Sequence, residues 1–233
     1  MVYKSFYFPL STLKLKYNLI LLFLMKTVFI EAKYEGKVEL SREVIDKLPN
    51  KVGLVSTVQF IDKLSLLKNQ FKKNNKKIII AGQVLGCEFS KAEKIKNKVD
   101  CFLYVGTGGF HPLGLAYTIN KPVFVYNPLT GVLDKISEKE VLVYKKRRKG
   151  AYLKFLSAKN VGVLVSTKPG QNQMNNALSL KNKLKDKNCY IFIADTIDLN
   201  ELENFPFIEA WVNTACPRMV EDKVGMINID EIM

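Results

Sequence analysis

The sequence predicts an α/β protein made of two similar small βαβ domains, each with a parallel sheet. Apolar runs of strand length alternate with segments of helical periodicity through most of the chain. This alternation is typical of parallel strands joined by helical crossovers. The alternation also repeats, because Lys51–Thr57 and Asn160–Thr167 each form a strand pattern that ends in Ser-Thr and leads into a helix and a second strand. A unit that recurs within one chain indicates an internal duplication.

The first repeat is assigned to residues 51–145, the middle α/β domain. Its opening strand is followed by an amphipathic helix whose apolar side chains recur at helical spacing, namely Phe60, Ile61, Leu64, Leu67 and Phe71. The elements predicted after it are a strand at 76–81, a helix at 90–97, and strands at 101–105 and 122–126.

The second repeat is assigned to residues 146–233, the C-terminal α/β domain. Its predicted elements are a strand at 160–166, a helix that contains Met174, Ala177, Leu180 and Leu184, a strand at 189–194, a helix at 199–203 and a strand at 210–212. The boundary falls near the basic run Lys145–Lys149. This run is interpreted as a solvated linker with a first helical turn, in preference to a phosphate-binding patch.

Residues 1–50 are predicted to be an N-terminal extension followed by one strand of a preceding unit. The apolar stretch Leu19–Met25 is too short to span a bilayer, and no small-residue cleavage site follows it. It is interpreted as a loosely packed extension or as sequence that precedes a start at Met25. Membrane anchoring is a third and weaker alternative, so no membrane partner is expected.

The charge of the chain is strongly basic without indicating a specific nucleic-acid site. The formal net charge is +14, from 36 Lys and Arg against 22 Asp and Glu. Nearly all of the excess is lysine, whereas base reading favours arginine. No aromatic stacking motif accompanies the lysines. A generally basic surface, which favours acidic partners, is the preferred interpretation.

The four cysteines fall into two kinds of position. Cys101 and Cys189 lie inside apolar strand patterns and are interpreted as small buried hydrophobic residues. Cys87 and Cys216 instead follow strands, in turns that contain glycine or proline. No paired spacing suggests a disulfide framework, so a reducing cytoplasm is expected.

Cys87 and Cys216 are too far apart in sequence to form a local metal knuckle, but two similar domains that face each other would bring them together. The carboxyl ends of parallel strands are where α/β proteins build their sites. Two thiolates alone complete neither a zinc site nor an iron–sulfur cluster. The residues therefore indicate an incomplete ligand set.

Two further loops follow strands. In the first, Gly106 and Gly108 allow backbone N–H groups to approach an anion, and His111, the only histidine of the chain, is either a packed loop residue or a catalyst. The glycine spacing is not that of a dinucleotide site. In the second, Ser166, Thr167, Lys168 and Gln171 form either a carboxylate or phosphate site or a turn with an N-cap.

Five motifs carry a resemblance to a known family. They are GQVLGC at 82–87, VGTGGFHPLGLA at 105–116, NPLTG at 127–131, VSTKPGQ at 165–171 and WVNTACPR at 211–218. In this order they resemble the archaeal diphthamide synthases, the 2-(3-amino-3-carboxypropyl)histidine synthases of the first diphthamide step. The resemblance covers the chain from about residue 26 to its end.

The resemblance implies a fold of three similar domains that hold a 4Fe–4S cluster through one cysteine each. Cys87 matches the ligand of the second domain and Cys216 that of the third, while residues 26–34 resemble only the last strand of the first. S-adenosylmethionine is the implied second cofactor, and its binding is assigned to the two loops that contain Gly106, Gly108, His111, Ser166, Thr167, Lys168 and Gln171. Gly109 stands where many relatives are expected to have arginine, and no catalytic residue is assigned.

The implied reaction transfers the 3-amino-3-carboxypropyl group from S-adenosylmethionine to a histidine of translation elongation factor 2, by radical chemistry. Because one cysteine of the implied three is absent, the expected enzyme needs a first domain in trans, from a separate protein. The alternative is a non-catalytic family member that acts as a scaffold or binds the elongation factor. Homo- or hetero-oligomerisation is a further implication of the resemblance.

Overall fold

The structure is a computed structural model that describes residues 28, 30–85, 88–223 and 225–232, with the side chain of Asp222 excepted. The stretch Leu19–Met25 and the ligand candidate Cys87 lie outside the described residues. Within the described part of the chain, no helix is both long and apolar enough to cross a membrane.

The described residues form two sheets with the same internal order. The first sheet contains Lys51–Ser56 (β1), Lys77–Gln83 (β2), Cys101–Val105 (β3), Val123–Tyr126 (β4) and Leu133–Lys135 (β5), in the order β2-β1-β3-β4-β5. The second contains Asn160–Ser166 (β6), Asn188–Ala194 (β7), Ala210–Asn213 (β8) and Met226–Asn228 (β9), in the order β7-β6-β8-β9. All pairings are parallel except the one between β4 and β5. The predicted α/β class with duplicated parallel sheets is confirmed.

Helices connect the strands on both faces of the sheets. The α-helices are Arg42–Asp46 (α1), Leu64–Lys73 (α2), Ser90–Glu93 (α3), Phe110–Ile119 (α4), Glu138–Ser157 (α5), Met174–Lys183 (α6) and Met219–Asp222 (α7). Short 3₁₀ helices occupy Val58–Lys63, Lys96–Lys98, Asn200–Asn204 and Ile229–Glu231. The helix predicted at 90–97 is therefore divided, and the one predicted at 199–203 is a 3₁₀ turn.

The central strands β1, β3, β6 and β8 are covered on both faces and are buried almost throughout. Cys101, Leu103 and Val105 of β3 belong to one core with α2, whereas Phe102 and Tyr104 belong to the core on the opposite face with α4. This alternation follows from the two-residue period of a strand. The second sheet is built in the same way, with α5 and α6 on one face and the aromatic cluster around Trp211 on the other.

Helix α5 differs most from the sequence prediction. The basic run Lys145–Lys149 lies in the middle of this 20-residue helix and is not a linker. A capping box starts the helix, with the Ser137 hydroxyl accepting from the Glu140 N–H and the Glu140 carboxylate accepting from the Ser137 N–H. Lysine and arginine are good helix formers, so the run is compatible with a helix whose charged side face is solvated.

The segment before α1 forms no strand among its described residues, Val28 and 30–41. Val38 and Leu40 are buried in the first core, and the Tyr34 N–H donates to the Gln59 carbonyl oxygen at 2.8 Å. A strand was predicted at 26–34 from the sequence. The described part of this segment joins neither sheet. It is held to the first core by its buried side chains instead.

Candidate functional site

The candidate site lies beyond the carboxyl ends of β2 and β8, where the two cysteine-bearing turns begin. On the first sheet, the Val84 N–H donates to the Ser56 carbonyl oxygen at 2.8 Å, and Leu85 pairs with Glu88. Phe89, which follows, is buried in the core. The described residues before and after positions 86 and 87 are thus fixed.

On the second sheet, a buried amide network fixes the turn of Cys216. Asn213 Nδ2 donates to the Cys216 carbonyl oxygen at 2.8 Å and to Asn228 Oδ1 at 2.7 Å, while its Oδ1 accepts from the Ala215 N–H at 3.0 Å. Asn228 Nδ2 in turn donates to the Pro217 carbonyl oxygen at 3.3 Å. Asn213 and Asn228 are only 1% and 6% exposed. The backbone of the turn is therefore held rigidly, while Cys216 itself is half-buried.

Sequence reasoning did not identify these two asparagines as site residues. The available signal was a polar residue at the end of an apolar strand, Asn213 in AWVN. A buried amide is costly unless it is hydrogen-bonded, so its presence there indicates a structural role in the turn that follows.

One cavity of about 200 Å³ joins the two turns. Phe89, two residues after Cys87, and Pro217, directly after Cys216, both line it. The remaining lining residues come from α4, from α5 and from the end of the chain, namely Phe110, Gly114, Tyr117, Thr118, Tyr144, Arg148, Asn228, Asp230 and Glu231. The cavity is therefore bounded by elements of both sheets.

Arg148 is the positively charged side chain among the residues that line this cavity. Its Nη2 lies 2.9 Å from Glu231 Oε1, its Nη1 donates to the Tyr144 hydroxyl at 2.8 Å, and its guanidinium lies 5.3 Å from the ring centroids of both Tyr117 and Tyr144. Burial raises the pKa of the Glu231 carboxyl, and the charge of Arg148 opposes this rise. Arg148, like the asparagines, was not singled out from the sequence.

The loop with Gly106, Gly108 and His111 leads into α4. Gly108 has a φ of +80°, which is the left-handed region that favours glycine. The Gly106 N–H is committed to the Tyr126 carbonyl oxygen at 3.0 Å. His111 lies in the first turn of α4 and stacks on Tyr104, with ring centroids 6.1 Å apart and an interplanar angle of 12°. It is thus a half-buried helix residue.

The electrostatic surroundings of His111 point toward the Cys216 turn. Burial lowers the pKa of His111, and the positive charge of Arg218 acts in the same direction. Arg218 lies two residues after Cys216. The charge of Arg218 therefore opposes protonation of His111. Phe110, which precedes His111, lines the cavity.

The second loop forms a closed local turn. The buried Ser166 hydroxyl donates to the Asp195 carbonyl oxygen at 2.9 Å and accepts from the Lys168 N–H at 3.2 Å. Thr167 Oγ1 lies 3.3 Å from Asp195 Oδ1, and the Gln171 N–H donates to the Lys168 carbonyl oxygen at 3.0 Å. Among the described residues, none of these four lines the cavity between the cysteine turns.

The other two cysteines are packed in the sheets. Cys101 is fully buried, and burial raises the pKa of its thiol to about 12. Burial also raises the pKa of Cys189, which packs against the core of the second sheet. Among the described residues, which do not include Cys87, no group of three or more His, Cys, Asp or Glu side chains is placed to hold a metal ion.

The fold and the site together define a class, a duplicated α/β protein whose two sheets border a shared cavity, lined among others by Phe89 and by Pro217, directly after Cys216. Residues 16–225 match the family model described as "Putative diphthamide synthesis protein". The chain belongs to this diphthamide synthesis protein family, as the five motifs of the sequence predicted.

Curated relatives carry the name 2-(3-amino-3-carboxypropyl)histidine synthase. The relative from Methanocaldococcus jannaschii is 34% identical over 212 residues, which are 85% of this chain and 57% of that protein. The relative from Pyrococcus horikoshii is 32% identical over 192 residues, which are 78% of this chain and 54% of that protein. A more distant relative from Encephalitozoon cuniculi, 24% identical over 84% of this chain and 58% of its own, is named subunit 1 of the synthase. The chain thus spans little more than half the length of these relatives.

The fold is similar to that of Dph2 from Pyrococcus horikoshii, whose crystal structure is known without and with a 4Fe–4S cluster. The TM-scores are 0.70 and 0.69 at 30% and 29% identity, and each match covers 81% of this chain and 57% of that chain.

Proposed function

We propose that this chain provides two of the cysteine ligands of a 4Fe–4S cluster, Cys87 and Cys216, in a 2-(3-amino-3-carboxypropyl)histidine synthase. The observation that carries the proposal is the shared cavity, because residues next to each of these cysteines line it. The cluster of the Pyrococcus Dph2 structure supports the choice of metal group.

Cys216 is a suitable ligand for an iron–sulfur cluster. Thiolates are the ligands that such clusters take, and Cys216 is half-buried on a turn whose backbone is fixed by Asn213. Both features suit a ligand that must stay in place while the cluster is shielded from water. Two thiolates are fewer than a cluster needs, so a third ligand is required beyond this pair, and we propose that it comes from outside these 233 residues.

When bound, the cluster would supply the electron for reductive cleavage of S-adenosylmethionine, after which the 3-amino-3-carboxypropyl group is transferred to a histidine of translation elongation factor 2. The residues of this chain would hold the site. The Asn213–Asn228 network fixes the Cys216 turn, and Phe89, Phe110 and Pro217 would provide the apolar part of the cavity wall. The basic surface of the chain would favour an acidic partner.

The test is anaerobic reconstitution with iron and sulfide, for this chain alone and together with a protein that provides the first domain. Iron per protomer and dithionite-dependent cleavage of S-adenosylmethionine are measured. We expect the pair to bind iron and to lose it with Cys87→Ala or Cys216→Ala. Cys101→Ala and Cys189→Ala serve as matched controls that keep iron, since both thiols pack in cores.

The proposal fails if the pair binds no cluster, or if Cys87→Ala and Cys216→Ala leave the iron content unchanged. Iron bound by this chain alone would contradict the requirement for a ligand from outside these 233 residues. Binding of elongation factor 2 by a chain that takes up no iron would instead establish the scaffold alternative.

A further inference from the structure

The side chain of Arg148 connects elements that belong to the two sheets. It projects from α5, stacks against Tyr117 of α4 and forms an ion pair with Glu231 in the 3₁₀ helix after β9. Helix α4 packs on the first sheet, through Leu115, Ala116 and Ile119. Glu231 follows Ile229, which belongs to the core of the second sheet.

From Arg148, a continuous series of hydrogen bonds leads to the Cys216 turn. Glu231 Oε1, which is paired with Arg148, also accepts from the Asn228 N–H at 3.2 Å. Asn228 Oδ1 accepts from Asn213 Nδ2, and the same Nδ2 donates to the Cys216 carbonyl oxygen. Only two side chains, Asn228 and Asn213, therefore separate the Arg148–Glu231 pair from the backbone of Cys216.

On the other side, Arg148 leads to the first core through packing. Tyr117 is one helical turn from Gly114 on α4, and Gly114 lies against the ring of Phe89, where an added Cβ would be 3.1 Å from Cζ. Phe89 is buried in the core that contains α4. Helix α4 thus connects Arg148 to the core of the first sheet.

We propose that Arg148 is a positioning residue that sets the placement of the Cys216 turn relative to helix α4 and the first sheet. Its planar guanidinium stacks on two tyrosine rings while it pairs with a carboxylate, which a lysine ammonium cannot reproduce. The stack fixes α4 and α5, and the pair fixes the end of the second sheet against both. The meaning of this placement for catalysis rests on the proposed function, but the placement itself does not require a cluster.

The test measures the geometry between the sheets without iron. Spin labels are attached through Ser65→Cys on α2 and Asn175→Cys on α6, both exposed positions, in a chain with its four native cysteines replaced. The distribution of distances between the two labels is measured by pulsed electron paramagnetic resonance for Arg148→Met, Arg148→Lys and Glu231→Gln. Arg147→Met is the matched control, because it removes the same charge from an exposed neighbour on the same helix.

We expect the distribution of Arg148→Met to widen about twofold, since relative motion of units is the default where no specific contact opposes it. Glu231→Gln, which is nearly isosteric, should widen it as well, and Arg148→Lys should recover only part of the original width. Arg147→Met should match the parent chain. If Arg148→Met and Glu231→Gln both keep the parent distribution while the thermal midpoint falls, Arg148 only adds stability and the positioning role is wrong.

Discussion

His111 provides a residue-scale view of the cavity, because it is the only histidine of the chain. It stacks on Tyr104 and contacts Phe110 edge to face, with ring centroids 5.2 Å apart. Burial favours the neutral imidazole, and the charge of Arg218 adds to this preference. The protonation state of His111 therefore depends on its burial and on the charge of Arg218.

We predict that His111 titrates below the usual range of a histidine and that Arg218→Met raises its pKa. Since the folded pKa is lowered, the contribution of His111 to stability is present above its unfolded pKa and is lost as the pH falls through the folded value. Proton NMR measures the pKa of His111 in the parent chain and in Arg218→Met, and no resonance assignment is needed because the chain has a single imidazole. Arg147→Met should leave the titration unchanged. An Arg218→Met titration identical to that of the parent chain would show that Arg218 does not influence His111.

At the scale of elements, each sheet contains a glycine that faces a large ring on the neighbouring strand. Gly53 of β1 pairs with Phe102 of β3, and Gly162 of β6 pairs with Trp211 of β8. An added Cβ would lie 2.7 Å from the Phe102 ring and 2.4 Å from the Trp211 ring. The rings thus lie over the glycines, and this arrangement was duplicated together with the strands.

Gly162→Ala should destabilise the protein by about 1–3 kcal/mol, the usual cost of overpacking a core. Gly150→Ala is the matched change, because Gly150 lies within α5 and an added Cβ there meets no atom within 4 Å. It should stabilise the protein by about 0.5–1 kcal/mol through helix propensity. Urea unfolding of the two variants measures both changes in the free energy of unfolding. Equal destabilisation by the two substitutions would show that the Trp211 ring does not require glycine at position 162.

Elements with a clear apolar period were predictable from the sequence. Four strands and one helix lie close to their predicted positions, namely β1, β3, β6, β8 and α6. Each of them has an apolar sequence pattern that corresponds to residues buried in the structure. Helix α5 was not, since charged residues occupy its middle and only Ala151 and Phe155 of the helix are buried. The strands β5 and β9 have three residues each, which is too short for a two-residue period to be recognised.

The candidate site was predictable only where chain position was enough. Cys87 and Cys216 were singled out because each follows a strand, and their role as ligands stays a prediction, since the structure describes only the second. The Arg148–Glu231 pair joins residues that are distant in sequence, and no local pattern encodes such a contact. Its one sequence signal was the scarcity of arginine, since only Arg42, Arg147, Arg148 and Arg218 occur in the chain.

At the scale of the whole molecule, α5 contributes to the packing of both sheets. Val141 near its start packs against the core that contains α4, while Ala151 and Phe155 near its end belong to the core of the second sheet. Tyr144, between them, contacts Tyr117 with ring centroids 5.3 Å apart. Loss of this helix would therefore expose apolar surface of both cores.

We predict a single unfolding transition despite the two sheets. Trp211 is the only tryptophan and is buried in the second sheet, so its fluorescence follows that sheet, whereas far-ultraviolet circular dichroism follows the whole chain. The two transitions should coincide in urea, which is the standard sign of cooperative unfolding. A tryptophan transition that precedes or follows the dichroism transition would show that the sheets unfold independently.

The shared helix also bears on how the duplicated gene can change. A recombination at Lys145, where the sequence alone places the boundary, would divide α5 and leave Phe155 on one product and Val141 on the other. Neither product would keep the complete helix that packs on its sheet. Shuffling or deletion of single repeats is therefore disfavoured at this boundary, and the two repeats are expected to be inherited together.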